Sequence, residues 1–252
     1  MSYLPKRMAE RTTWITKRVS AILAVVALSA TPPPAAASPS GFCAELGGSW
    51  DQGSATCTST ATNAKHLTAT LTARYPTDLI DDPTAGPVLQ GFVRGLFERF
   101  GHPGDRLSQD GSVDLTYQTY EHPPATKSFV FTNDWYLGGP HPNDEIDAFT
   151  FDLARKKQLA LADLFCTGTD TPRALFPFVK QYVQPQVDPR WVQPDGPGVT
   201  YASGYKAWAL DGDDLVILMP DGRTGPVHAG AFTARIPLTA LRPILREGGC
   251  ST

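Results

Sequence analysis

The clearest pattern of hydrophobic and polar positions lies in residues 66–75 (HLTATLTARY), where apolar or aromatic residues alternate with threonines and an arginine. A period of two is typical of a β-strand with one buried face. The same pattern predicts strands at residues 113–120 and 128–135, joined across a His-Pro-Pro segment as a hairpin or meander. Further strands are predicted at residues 205–210, 215–219 and 232–237, the first two forming a hairpin across an Asp-Gly-Asp-Asp turn.

A helical period replaces this alternation in residues 87–100, whose apolar side chains fall on one face: Val88, Leu89, Phe92, Val93, Leu96, Phe97 and Phe100. Residues 81–84 (DDPT) supply helix-start chemistry, and Gly101 occupies the position of a C-terminal capping glycine. A second helix is predicted from Thr171, in which Pro177 either produces a kink or marks the first turn. With a short helix at residues 238–246, the sequence predicts an α+β fold with a mainly antiparallel sheet and a few packed helices.

Residues 133–165 contain the most distinctive surface of the chain. Two strand-like segments flank a Gly-Gly-Pro-His-Pro-Asn turn, and residues 149–153 (FTFDL) alternate as a half-buried strand does. Gly138 and Gly139 adopt positive φ without penalty, while the two prolines fix φ and remove donors. We therefore expect a rigid connection that presents polar side chains to solvent: His141, Asn143, Asp144 and Asp147.

Composition restricts the class of protein. The 252 residues are 41% hydrophobic and 19% charged, which provides for a real core, while 23 prolines and 22 glycines favour many turns. The formal net charge of −3 argues against a nucleic-acid partner, because phosphate binding needs a basic surface. The Pro-rich residues 184–198 predict a long loop.

The first 37 residues have the order of regions that a secretory signal peptide requires. A basic segment precedes the apolar residues 19–30 (VSAILAVVALSA), and three alanines at 35–37 provide an A-x-A cleavage signal. The alternative is an uncleaved membrane anchor. Twelve helical residues span only about 18 Å of a hydrocarbon core that is about 30 Å thick, so a signal peptide is favoured and no stable transmembrane segment is expected after cleavage.

All four cysteines lie after this leader, and an even count in an exported chain predicts two disulfides. Four cysteines allow three connectivities, of which we favour Cys43–Cys57, closing a loop at residues 42–58, and Cys166–Cys250. A zinc site is the alternative, but the chain has no C-x-x-C motif and its histidines are isolated. We therefore predict no metal and no cofactor.

The sequence offers weak support for catalysis. Ser203, with a histidine and an aspartate such as Asp163, gives a conceivable triad, but no G-x-S-x-G motif is present to expose the nucleophile. His141, flanked by prolines, is expected to bond backbone carbonyls and hold the turn; contact with a ligand or partner is the alternative. The leading interpretation is a non-catalytic binding protein, and the alternative is a secreted esterase-type hydrolase.

Several motifs carry a family resemblance. Residues 135–142 (WYLGGPHP), the aromatic strand after them and residues 159–165 (LALADLF) resemble the RsiV-like domain. Residues 42–57, with their cysteine pair, are similar to the start of the mature secreted immunogenic proteins of mycobacteria. Residues 208–217, 225–230 and 236–241 resemble later segments of the same family. Residues 219–223 (MPDGR) depart from the family pattern, in which an aromatic residue or a Glu often follows the strand.

The resemblance implies a single domain at residues 38–252, with a central antiparallel sheet and a C-terminal half of β-grasp type. It also implies an exported or envelope-exposed recognition module without a shared catalytic mechanism. We therefore predict a binding surface formed by residues 138–147 and 222–230, for an extracellular or cell-wall partner. The acidic side chains Asp144, Glu145 and Asp147 of this surface favour a basic protein as the partner. The candidate residues are Gly139, His141, Asn143, Asp147, Arg223 and His228.

Overall fold

The alternating residues 66–75 form the third strand of a seven-stranded sheet. The computed structural model describes residues 38–104, 107–183, 185, 205–221 and 230–250. Within them the large sheet has the order β1 to β7: β1 (Ser49–Asp51), β2 (Thr56–Thr62), β3 (Thr68–Ala73), β4 (Gly111–His122), β5 (Thr126–Tyr136), β6 (Asn143–Asp152) and β7 (Lys157–Leu159). Neighbouring strands are antiparallel except β3 and β4, which are parallel and connected through a helix.

A smaller antiparallel sheet has the order β10-β9-β8, with β8 (Ala207–Asp211), β9 (Asp214–Met219) and β10 (Phe232–Pro237). The described helices are α1 (Pro39–Glu45), α2 (Gly86–Phe100), α3 (Thr171–Val183) and α4 (Leu238–Leu241), with 3₁₀ turns at Leu161–Leu164 and Arg246–Gly248. The predicted α+β fold class with a mainly antiparallel sheet is confirmed. Its C-terminal half combines α3 and the short α4 with this three-stranded sheet.

Helix α2 covers one face of the large sheet. Its predicted apolar stripe is buried, with Leu89 and Val93 fully inaccessible, and it packs in one core with Phe129 and Phe131 of β5. Phe92 contacts the ring of Phe131 at a centroid distance of 4.9 Å. Burial of this stripe, at about 25 cal/mol per Å² of apolar surface, is what holds the helix on the sheet.

The small sheet covers the other face of β5 and β6. Val130 of β5 packs with Ala209 and Val216 in a cluster between the two sheets. Thr150, which the alternation of residues 149–153 assigned to solvent, is only 1% exposed for this reason. The opposite face of the small sheet packs on α3 through a separate core that includes Leu175 and Ile217.

Gly101 is the C-cap residue of α2, as predicted, with φ of −66° in the right-handed region. The helix predicted over residues 238–246 ends at Leu241: Arg242 keeps helical φ and ψ of −43° and −42°, but Pro243 has no N–H to continue the backbone hydrogen bonds. Pro177 lies in the interior of α3, not in its first turn.

The structure joins Cys43 to Cys57 and Cys166 to Cys250, which is the favoured connectivity. The segment that the first disulfide closes is not the irregular loop expected at residues 42–58. It contains the end of α1 and the β1–β2 hairpin, and Phe42 is fully buried.

No helix in the described residues is long and apolar enough to cross a membrane. Residues 1–37 lie outside the described part of the chain, as do Ser203, Arg223, His228 and all of the Pro-rich segment 184–198 except Pro185.

Candidate functional site

The connection between β5 and β6 is a closed turn. Gly138 and Gly139 have φ of +100° and +131°, and a Cβ on Gly138 would lie 1.8 Å from the hydroxyl of Ser108. The hydroxyl of Tyr136 donates to the carbonyl of Gly139 at 2.9 Å. Glycine is therefore required at position 138 both by the backbone conformation and by the close approach of Ser108.

His141 is exposed at the tip of this turn. Its Nδ1 lies 2.8 Å from the carbonyl oxygen of Pro142, an acceptor, so in this geometry Nδ1 carries the proton and donates. This is the backbone contact that the turn-holding interpretation of His141 expects. Asn143 is also exposed and pairs with Trp135 as the first residue of β6.

Asp147 is separated from these residues. It lies on the same face of β6 as Asn143, but four residues of strand span about 13 Å. Asp147 is partly buried and faces α2, whereas the candidates at the turn face solvent. The structure thus brings Gly139, His141 and Asn143 together, and it places Asp147 in a separate environment.

A row of aspartates crosses three strands on the opposite face of the sheet. Asp114 of β4 pairs with Asp134 of β5, which pairs in turn with Asp144 of β6. Asp221, two residues after β9, is hydrogen-bonded to Asp144. We call Asp114, Asp134, Asp144 and Asp221 the acidic row. Asp144 of the predicted surface is thus beside Asp221, the last described residue before position 222.

The electrostatics of the acidic row are unfavourable to its own charges. Burial, followed by the hydrogen bond to Asp221 and by repulsion from Asp221 and Asp134, raises the pKa of Asp144 to about 6. Burial and then the charge of Asp114 raise the pKa of Asp134. Like charges directly opposite each other in a sheet are destabilising. The chain therefore holds these carboxylates together at a cost to the folded state.

A cavity of about 260 Å³ lies between α2 and the sheet. We call it the α2 cavity; it is lined by Gly91, Phe92, Gly95, Leu96, Arg99, Asn133, Glu145 and Asp147. Burial raises the pKa of Asp147, and the charge of Glu145 adds to the shift, while Arg99 and Lys206 oppose it. Asn133 is 3% exposed, and its Oδ1 has no hydrogen-bond donor among the described residues.

Arg99 is fixed at the rim of the α2 cavity by three groups. Its Nη1 lies 2.7 Å from Oε2 of Glu145. Its Cζ lies 4.8 Å from the ring centroid of Phe100 and 4.9 Å from that of Trp135, both within cation–π distance. These contacts hold the guanidinium against Glu145 and leave the carboxylate of Asp147 without an ion pair in the described residues.

A second cavity, of about 270 Å³, lies beside β7 and has leucine-rich walls. Arg155, Lys157 and Arg246 line it, and the first two are paired with Asp152 and Asp163. His122, also in its wall, bonds through Nδ1 to the carbonyl of Gly212. The charged groups of this cavity are thus largely satisfied within the protein.

Within the described ranges no serine hydroxyl is hydrogen-bonded to a histidine ring, and no group of three or more His, Cys, Asp or Glu side chains could hold a metal ion. The functional groups that the described residues do bring together are carboxylates, one buried amide and aromatic walls.

Most residues of the acidic row and of the α2 cavity are not predicted from the sequence. Asp114 and Asp134 meet Asp144 only through strand register, which a single sequence does not contain. For the α2 cavity two signals were present: glycines four residues apart inside an amphipathic helix, and Asn133 at a core position of an otherwise aromatic strand. A polar residue in the apolar phase of a strand is informative because buried polar groups are costly without partners.

No family model matches the chain. It is 28% identical over 222 residues to a Mycobacterium tuberculosis protein named Esterase Rv3036c, covering 84% of this chain and 91% of that protein. It is 24% identical over 217 residues, with the same coverages, to Immunogenic protein MPT64 of Mycobacterium tuberculosis and to Immunogenic protein MPB64 of Mycobacterium bovis.

Two solved structures of the DUF3298 family have a similar fold. The Pseudomonas aeruginosa member aligns with a TM-score of 0.54 at 14% identity, over 77% of this chain and 94% of that chain. The Bacteroides fragilis member aligns with a TM-score of 0.52 at 13% identity, over 75% and 91%. The chain is therefore a homologue of the mycobacterial immunogenic proteins and of a mycobacterial protein named as an esterase, with the fold of the DUF3298 family.

Proposed function

We propose that this chain is an exported binding protein of the mycobacterial immunogenic-protein type, formed by one RsiV-like domain after a signal peptide of residues 1–37. Its partner is a basic extracellular or cell-wall protein, bound at the acidic row. The observation that carries the proposal is the alignment of Asp114, Asp134 and Asp144 across three neighbouring strands beside Asp221.

The acidic row has the properties of a recognition surface. Burial raises the pKa of Asp134 and of Asp144, repulsion within the row adds to both shifts, and perturbed groups of this kind concentrate at functional sites. A cationic partner would relieve the repulsion and pair with the charges, so that binding energy offsets what folding loses. The contact would be electrostatic and therefore weaken as salt screens it.

Export is supported by the two disulfides, which persist in oxidising compartments. The described fold begins at Ser38, whose hydroxyl caps α1 by accepting from the N–H of Gly41 at 3.1 Å. Cleavage after Ala37 would therefore leave the first helix with its cap. Intact mass of the protein from culture medium, before and after reduction and alkylation, tests this part. A full-length chain in the membrane fraction would contradict it.

Binding is tested with an oligolysine peptide at low ionic strength. We expect Asp134→Asn/Asp144→Asn to weaken peptide affinity about tenfold, since each lost close charge pair is worth up to ~1 kcal/mol at an exposed surface. The control Asp81→Asn/Glu98→Gln removes the same formal charge at exposed positions outside the acidic row, one before α2 and one within it. Equal losses in both variants would mean that net charge alone attracts the peptide.

A second candidate function is a secreted esterase-type hydrolase, favoured by the 28% identity to a protein named as an esterase. The serine weighed for that role, Ser203, lies outside the described residues. A fluorophosphonate reagent applied to the folded, oxidised protein distinguishes the two functions. Labelling that disappears in Ser203→Ala would support the hydrolase, and absence of labelling supports the binding protein.

A further inference from the structure

We propose that the α2 cavity is a binding site for a small primary amine in its alkylammonium form, held by Asn133 and Asp147. The site goes beyond the proposed function, because it lies on the α2 face of the sheet, whereas the acidic row lies on the face turned towards the small sheet. The ligand class follows from the acceptors, the walls and the mouth of the cavity.

The side-chain amide oxygen of Asn133 has no hydrogen-bond partner among the described residues. This side chain lies in the same phase of β5 as Phe129 and Phe131, on the face covered by α2. It is 3% exposed, lines the cavity, and its Oδ1 receives no hydrogen bond from the described residues. A buried acceptor of this kind destabilises the fold unless a donor reaches it, so the cavity is built for a group that donates.

The α2 cavity carries negative charge from two carboxylates. Asp147 and Glu145 both contribute carboxylates, but Glu145 is bound to Arg99 at 2.7 Å and Arg99 is held over two aromatic rings. Asp147 therefore offers a carboxylate that has no ion pair among the described residues, and burial raises its pKa because desolvation disfavours the ionised form. A cation would stabilise the ionised form, whereas an anion would be repelled. Lys206 and Arg99 act on Asp147 at longer range and reduce the shift.

Two glycines of α2 leave the entrance of the α2 cavity open. Gly91 and Gly95 are exposed, one helical turn apart, and a Cβ at either position would meet no atom within 4 Å. Glycine disfavours a helix interior relative to alanine, so these residues reduce helix stability while leaving the entrance open. Phe92 and Leu96 provide apolar walls. A volume of about 260 Å³ far exceeds the ~30 Å³ of one liquid water, so it accommodates an ammonium group with a short alkyl stem.

Other ligand classes fit less well. Hard metal ions require six or more oxygen ligands, or several waters, around the ion, and the described lining of the cavity offers one carboxylate without an ion pair and one amide oxygen. An apolar ligand would leave Asn133 Oδ1 and Asp147 desolvated without donors. An alkylammonium ion supplies three N–H donors and one positive charge to these two acceptors.

The experiment titrates the ¹⁵N-labelled, oxidised protein with n-butylammonium chloride and follows the amide resonances. We expect saturable shifts at Gly91, Gly95 and the Asn133 side chain, with n-butanol and sodium butyrate producing no saturable change. Asp147→Asn should weaken affinity at least tenfold and still fold, since burial already favours the neutral form. Gly95→Leu should close the mouth and abolish the shifts, while Glu98→Gln, exposed on the same helix, should leave them unchanged.

Three results would overturn the proposal: no saturable shift with the amine, equal binding of butanol or butyrate, or shifts that Asp147→Asn leaves unaltered. If Gly95→Leu fails to fold, Gly91→Leu at the same mouth serves instead, because a Cβ at position 91 likewise meets no atom within 4 Å. Oligolysine binding is measured on the same samples. Loss of amine binding in Asp147→Asn with unchanged oligolysine binding separates this site from the acidic row.

Discussion

The backbone N–H of Leu210 donates a hydrogen bond of 3.1 Å to the hydroxyl oxygen of Ser128. The same oxygen accepts from the hydroxyl of Thr150 at 2.9 Å. Ser128 lies on β5, Thr150 on β6 and Leu210 on β8, so one fully buried hydroxyl connects the large sheet to the edge strand of the small sheet. The N–H of Leu210 points away from β9 and would be a buried donor without a partner if this hydroxyl were absent.

Replacement of this hydroxyl should destabilise the protein. We expect Ser128→Ala to lower the free energy of unfolding by about 1–3 kcal/mol, because it leaves two buried donors unsatisfied. Urea unfolding of the oxidised protein measures the change. Ser112→Ala, at an exposed position of β4, should stay within about 0.5 kcal/mol of the parent. Equal stability of the two variants would show that water replaces the lost hydroxyl.

Ser128 and Thr150 also show where the sequence stops being informative. Their alternation with aromatic residues predicts the strands correctly, because the period of the backbone is a local property. For Thr150 it predicts a solvent-facing side chain. That prediction is wrong, because a second sheet, formed by residues about 60 to 80 positions later in the chain, covers this polar phase. Environment depends on that long-range packing, whereas strand existence does not.

The candidate site shows the same division. The Gly138–Pro142 turn and the backbone contact of His141 follow from local chemistry, so the sequence identifies them. The acidic row depends on the register that places Asp114, Asp134 and Asp144 side by side. A shift of one residue would move every side chain to the other face. The α2 cavity depends on how a helix lies over a sheet, which the spacing of Gly91 and Gly95 only suggests.

The pKa of Asp144 gives a pH dependence of stability. Its folded-state pKa, about 6, lies above the value of a free carboxyl, so the folded protein binds this proton more tightly than the unfolded chain. The stabilisation from the bound proton is complete below the unfolded pKa and is lost as the pH rises to about 6 and above. At neutral pH the ionised carboxylate therefore destabilises the fold.

We accordingly expect Asp144→Asn to raise the free energy of unfolding at pH 7.5 by on the order of 1 kcal/mol, a figure reduced for the partial solvent screening of this group. Below pH 4 the variant and the parent should coincide. Thermal unfolding at pH values from 3.5 to 8 measures the difference. Asp81→Asn, exposed and outside the acidic row, should show no such divergence. A variant less stable than the parent at pH 7.5 would contradict the assigned repulsion.

The disulfide between Cys166 and Cys250 should contribute more through chain entropy than its local contacts do. It closes a loop of 84 residues, for which the entropy model gives roughly 4.5 kcal/mol. Cys250 is exposed, so Cys166→Ala/Cys250→Ala removes little packing. Urea unfolding should show this loss in the free energy of unfolding. Reduction of the parent should lower its free energy of unfolding by at least as much. A loss below about 1 kcal/mol would mean that the reduced unfolded chain retains the contact between its ends.

The other disulfide leaves no room beside Gly48. A Cβ at this position would lie 2.6 Å from Sγ of Cys57 and 2.9 Å from Sγ of Cys43. We expect Gly48→Ala to lower the free energy of unfolding by about 1–3 kcal/mol through overpacking, since both sulfurs are buried and cannot move apart. In a Cys43→Ala/Cys57→Ala background the sulfurs are absent, so the same substitution should cost much less. A double-mutant cycle by urea unfolding measures this coupling. Additive effects would show that the close approach of the carbonyl of Thr58, at 3.2 Å, and not the disulfide, requires glycine at position 48.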